Sequence, residues 1–198
     1  MDTPAVSATH TEPYMANLVR NADGVLIVLD PTDDGLAEGL AACRGLLERG
    51  RVWPGGKPLP PDASPLLVVR PVYTVLNKAD LDGDGTFATL ARESVGEELP
   101  LFTVSAEHGH GLEELRARLF AGLGRIRIYA KEPGKKPDFA RPFVLEAGAT
   151  VHDLARMVHK DIAENLRFAR IWGHARFDGQ QVDRHHVLAD RDVVELHA

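Results

Sequence analysis

Cysteine occurs once in the 198 residues, at Cys43. A lone cysteine excludes an intrachain disulfide and any zinc site built on cysteine pairs, and it fits a reducing cytoplasm. Long apolar runs are missing as well. The longest, 25–29 and 66–69, fall far short of a bilayer's thickness, so no membrane partner is expected. Asp2, Thr3, Ser7, Thr9 and His10 at the start lack the basic residues and apolar stretch of a signal peptide. One further absence matters more. Nowhere does the chain carry G-x-x-x-x-G-K-[ST], the glycine-rich loop whose amides cradle nucleotide phosphates.

What is present is a pair of short motifs, Asn77-Lys78-Ala79-Asp80 and Ser105-Ala106-Glu107, each just past a β-like apolar run (72–76 and 101–104). In open α/β sheets, nucleotide sites lie at the carboxyl ends of strands. A carboxylate at Asp80 accepts two parallel hydrogen bonds from the N1–H and N2 amine of guanine, donors that adenine does not present in that arrangement. A bidentate pair of this kind discriminates between bases by roughly 1–3 kcal/mol. Asn77 offers an amide to the other edge of the base, and the aliphatic stem of Lys78 can lie over the purine face. Ser105-Ala106, followed by Glu107, forms a tight turn whose backbone N–H is expected to point at the guanine carbonyl oxygen. The motifs therefore read as a guanine-base pocket.

The surrounding pattern alternates. A helix over 14–21 leads to an apolar strand at 24–29, then to a helix over 35–49 with Leu36, Leu40, Cys43, Leu46 and Leu47 on one face. A Pro- and Gly-rich loop over 53–65 precedes the strand that runs into Asn77. A helix over 87–98, the strand at 101–104 and a helix over 112–123 complete a βαβαβα order, which predicts a parallel sheet covered by helices. Charge then shifts. Lys and Arg number 10 against 18 Asp and Glu through residue 124, and 13 against 11 from 125 onward, where six of the nine histidines also lie. A domain boundary is expected there, with 1–124 and 125–198 as separate domains.

The second domain reads as a β-grasp. Arg125-Ile126-Arg127-Ile128-Tyr129 alternates as a half-buried strand does, and a second strand covers 143–146. Thr150-Val151-His152-Asp153 opens a helix with a near capping box, its apolar face running Val151, Leu154, Ala155, Val158 and Ile162. Strands follow at 168–172 and 193–196, with a turn at Asp178-Gly179. Trp172 is expected in the core.

Residues 2–123 resemble the second half of the GTPase domain of the Obg and developmentally-regulated GTP-binding protein group. Residues 125–198 resemble the TGS domain that follows it in the latter. The strings that carry this are Asp2-Thr3-Pro4, 18–23, Asn77-Lys78-Ala79-Asp80, Ser105-Ala106, 126–129, Val158-His159-Lys160 and 169–173. The resemblance implies an α/β partial P-loop GTPase sheet, without its first strands, followed by a β-grasp TGS domain. It also implies GTP or GDP with Mg²⁺ as ligands, and guanine contacts at Asn77, Lys78, Asp80, Ser105, Ala106 and Glu107. Asp2 and Thr3 fall at the phosphate-sensing, Mg²⁺-linked motif, whose Gly is Ala5 here. Met1 fits the last apolar residue of a preceding strand, and the chain reads as truncated. With no phosphate loop, guanine-nucleotide affinity is expected on the order of millimolar or absent, and GTP hydrolysis is not expected.

The resemblance further implies a ribosome- or RNA-facing TGS domain, for which Lys131, Lys135, Lys136, Arg141, His159, Lys160 and Arg170 are the candidate contacts. The apolar edge of strand 24–29 is expected to permit self-association. No metal centre is expected. His152, His159, His185 and His186 lack ligand spacing. Asp80, Asp82 and Asp84 begin like a calcium loop whose twelfth position is Ala91 rather than Glu.

Overall fold

The computed structural model describes residues 2–6 and 12–198, the side chain of Glu98 excepted; the reading of Met1 lies outside them. The fold separates into two compact units, one ending at Leu123 and the other beginning at Gly124. No helix among the described residues is long and apolar enough to cross a membrane.

The first unit runs α1 (Met15–Asn21), β1 (Val25–Leu29), α2 (Leu36–Arg49), β2 (Val52–Pro54), β3 (Val68–Arg70), β4 (Val72–Leu76), a 3₁₀ turn (Ala79–Leu81), α3 (Thr86–Val95), a second 3₁₀ turn (Gly96–Glu98), β5 (Leu101–Thr103) and α4 (Leu112–Gly122). Strands β1, β4 and β5 form a parallel sheet in that order, with Val25 opposite Val72 and Thr74 opposite Leu101. The two faces of the sheet part by residue parity. Ile27, Leu29, Val72 and Leu76 pack with Leu40, Leu46 and Leu47 of α2 and with Met15 and Val19 of α1. On the opposite face Val75 and Val104 pack against Leu115 of α4. Helix α4 leaves β1 uncovered on that side, so Leu26 and Val28 are 40% and 60% exposed.

Two local features depart from expectation. The loop predicted over 53–65 is framed by a small parallel ribbon, β2 with β3, in which Val52 is buried and the Gly55 N–H donates to the Arg70 carbonyl at 2.7 Å. The helix predicted over 87–98 stops at Val95, because Gly96 turns to φ +66° and tightens the chain into 3₁₀ geometry.

The second unit runs β6 (Arg125–Lys131), β7 (Phe143–Glu146), α5 (Val151–Val158), α6 (Lys160–Asn165), β8 (Phe168–Trp172), β9 (Gln180–Val182) and β10 (Val193–His197). Its sheet order is β7-β6-β10-β8-β9, with β10 parallel to β6 and the other pairs antiparallel, which is a β-grasp. Ile126, Ile128, Ala169, Ile171 and Val194 meet Val151, Leu154 and Ala155 of α5 in one core. The helix predicted to run on through Ile162 breaks at His159, whose backbone is extended and whose ring accepts the Asp161 N–H to start α6. Trp172 is not core. Strand parity places it with Phe168 and Arg170 on the face away from α5, where the Lys131 ammonium sits 4.6 Å from its ring centroid.

Candidate functional site

The site forms where β4 and β5 end, because parallel strands deliver their following loops to one edge. The Asn77 N–H donates to the Leu29 carbonyl at 3.0 Å and the Ala79 N–H to the Val104 carbonyl at 2.9 Å, so the first motif bridges both neighbouring strand ends. Lys78 takes a left-handed conformation, φ +57° and ψ 37°. That reversal turns the chain sharply into the 79–81 turn.

The two motifs meet through one hydrogen bond. Ala106 N–H donates to Asn77 Oδ1 at 3.0 Å. Ser105 is fully buried, and its N–H donates to the His110 carbonyl at 3.1 Å. Both backbone donors of this turn, expected to face the guanine carbonyl oxygen, have partners within the two loops. Glu107 is exposed beside them.

Asp80 is the open acceptor at this junction. Its carboxyl titrates below the usual carboxylate range, first because the Ser105 hydroxyl hydrogen-bonds it and further because His108 and His110 lie close by. His108 Nδ1 is 3.8 Å from Asp80 Oδ1 and 3.2 Å from Ser105 Oγ. The Lys78 ammonium reaches Asp30 Oδ2, at the end of β1, at 2.6 Å. That contact, with the Thr32 hydroxyl and amide, pulls the Asp30 carboxyl from 3.8 to about 2.

Sequence reasoning missed Asp30 and His108. No spacing rule links Asp30 to Lys78. His108 carried a signal only in its nearness to the second motif.

Asp82 and Asp84 do not line up as cation ligands. Asp82 accepts the Phe87 and Ala88 N–H groups at 2.9 and 2.8 Å, and Asp84 accepts the Thr86 N–H at 3.0 Å, so both cap α3. One donor atom each from Asp80, Glu107 and His108 lies within 4.8 Å of the others, and all three residues are exposed. These are polar loop contacts, and we assign no metal to them. Asp2 and Thr3 lie apart from the two motifs, in a groove of about 1040 Å³ along β1, where Thr3 N–H donates to Asp2 Oδ1 at 3.0 Å.

The seven candidate contacts of the second unit are spread over several segments, and the Lys131 ammonium lies 3.5 Å from the Lys135 carbonyl. Lys131 is largely covered and paired with Glu195, and it shares the outer sheet face with exposed Arg170. Lys135, which pairs with Glu132 at 2.5 Å, belongs with exposed Lys136 and Arg141 to the β6–β7 connection. His159 and Lys160 sit at the α5–α6 junction, on the covered side of the sheet, with Lys160 3.5 Å from Glu164.

Residues 126–198 match the family model of the TGS domain. A GTP-binding protein of Methanocaldococcus jannaschii is 37% identical over 132 residues, covering 65% of this chain and 33% of its own length. Developmentally-regulated G-protein 2 of Arabidopsis thaliana is 34% identical over 132 residues, again 65% of this chain and 32% of its own. The chain thus spans about a third of the length of the curated relatives it matches. A solved GTP-binding protein from Pyrococcus horikoshii OT3 superposes with a TM-score of 0.51 at 20% identity, over 65% of this chain and 46% of its own, which is a likeness of fold.

Proposed function

The chain carries a C-terminal TGS domain in a stretch shared with DRG-type GTP-binding proteins, and we propose that its first unit recognises the guanine base of a nucleotide. Asp80 reads the N1–H and N2 amine, and Asn77 fixes the pocket. The carrying observation is the Ala106 to Asn77 hydrogen bond, which ties two sequence-distant motifs into one loop assembly and leaves an ionised Asp80 at its mouth.

These residues fit a base. The Asp2 carboxylate, at the motif linked to phosphate and Mg²⁺ by resemblance, accepts its neighbour's amide and stands apart from them. We therefore assign base recognition to these residues. The TGS unit is read as the face toward RNA or the ribosome in the cytoplasm, a reading supported by family likeness and by the exposed cations Lys136, Arg141 and Arg170.

The test is a guanosine titration of the whole protein followed by amide NMR. Shifts confined to residues 77–80 and 105–110, absent with adenosine and abolished in Asp80→Ala, are expected. Equal responses to guanosine and adenosine, or binding that survives Asp80→Ala, would leave the second reading: an adaptor that binds RNA or protein through the TGS unit, with the α/β unit as scaffold.

A further inference from the structure

The acceptor that should read guanine has an imidazole beside it. His108 places its Nδ1 3.8 Å from Asp80 Oδ1, and the loop that carries it is built to hold it there. The Ser105 hydroxyl accepts the His108 N–H at 3.2 Å and lies 3.2 Å from the ring nitrogen as well. Ser105 and His110 form a β-bridge across the loop. Gly109 and Gly111 both adopt positive φ, +75° and +71°, and a Cβ on Gly111 would lie 2.6 Å from the Thr103 carbonyl oxygen. The backbone path from 105 to 111 is therefore specified by steric requirement, and it delivers an imidazole to the base-reading carboxylate.

Resting on the guanine reading above, we propose that His108 sets the affinity of the site by competing with the base for Asp80, releasing the carboxylate when its imidazole is neutral and occupying it when protonated. The chemistry is a direct exchange. An imidazolium N–H and the guanine N1–H and N2–H seek the same acceptor lone pairs, and a carboxylate that holds a cation offers less to a neutral donor pair. Other charged groups frame this corner. Glu107 lies on the same loop, the His110 ring stacks on His108 with centroids 6.0 Å apart, and the Lys78–Asp30 pair sits at the Asn77 turn. Asp80 itself titrates below 3.8, well under the range in which imidazoles change charge.

Guanosine is the probe, because it carries no phosphate and stays neutral across that range. Its affinity for the whole protein, measured by NMR at pH 7.5 and 5.5, is expected to fall about tenfold at the lower pH. His108→Gln should bind with the same affinity at both pH values, while His110→Gln should keep the dependence. A tenfold dependence that persists in His108→Gln would overturn the proposal, as would one removed only by His110→Gln. Binding that is lost in Asp80→Ala yet independent of pH in the wild type overturns the role of His108 and leaves guanine recognition standing. Absence of guanosine binding in both wild type and His108→Gln at either pH would bring down both readings.

Discussion

At the scale of single residues, the site depends on an ion pair that bridges two strand ends. Lys78 holds a left-handed backbone that a non-glycine residue adopts only when its surroundings dictate it. Its ammonium closes on Asp30, whose carboxyl falls to about 2 as a result. A carboxyl depressed in the folded state contributes stability that is present above its unfolded value, near 3.8, and is lost as pH falls toward 2. Lys78→Met is expected to return the Asp30 carboxyl toward 3.8, read by side-chain carboxyl NMR, and to flatten the pH dependence of unfolding between about 4 and 2. Both side chains are more than 40% exposed, so the effect on stability is modest and weakens with salt. The N-K-x-D string was legible because its spacing is local. Asp30 and His108 were not, since their meaning lies in which side chain they face.

At the scale of elements, the sequence was most legible where a local rule has a single outcome. Thr150 caps α5 through the Asp153 N–H at 3.4 Å, and Asp153 returns the bond to the Thr150 N–H at 2.8 Å, a complete capping box. Thr150→Ala is expected to cost about 1 kcal/mol and, for a unit of this size, to lower its melting temperature by about 4–8 °C; thermal unfolding followed by circular dichroism checks both. Strands β2 and β3 escaped notice because three residues carry too little period to register. The break at His159 escaped for the opposite reason: Val158 and Ile162 keep the helical period on either side of it, while the imidazole supplies a cap that pattern does not reveal. Trp172 was misplaced because it lies on an apolar strand, whereas strand parity sets it with Phe168 and Arg170 on the outer face.

At the scale of the whole molecule, the edge of β1, unpaired among the described residues, is the most consequential surface. The Val25 N–H donates to Pro71 and the Leu29 carbonyl accepts from Asn77, so the backbone groups of Leu26 and Val28, lying between in an alternating ladder, turn outward. Their side chains occupy the face that α4 does not reach. An edge that is apolar and has outward hydrogen-bonding groups favours strand addition, and we expect the protein to associate with itself as its concentration rises. Sedimentation of the wild type should show a concentration-dependent larger species and Val28→Lys a monomer under the same conditions; a wild type that stays monomeric throughout would remove the expectation. The sequence by itself determined the alternation of strands and helices, the β-grasp order and the two loop motifs at the strand ends, because hydrophobic period, turn chemistry and motif spacing act over a few neighbouring positions. The tertiary structure alone decided that Lys78 meets Asp30, that Asn77 takes the Ala106 amide and that His108 stands against Asp80, because contacts between distant segments follow from how parallel strands bring their loops to one edge.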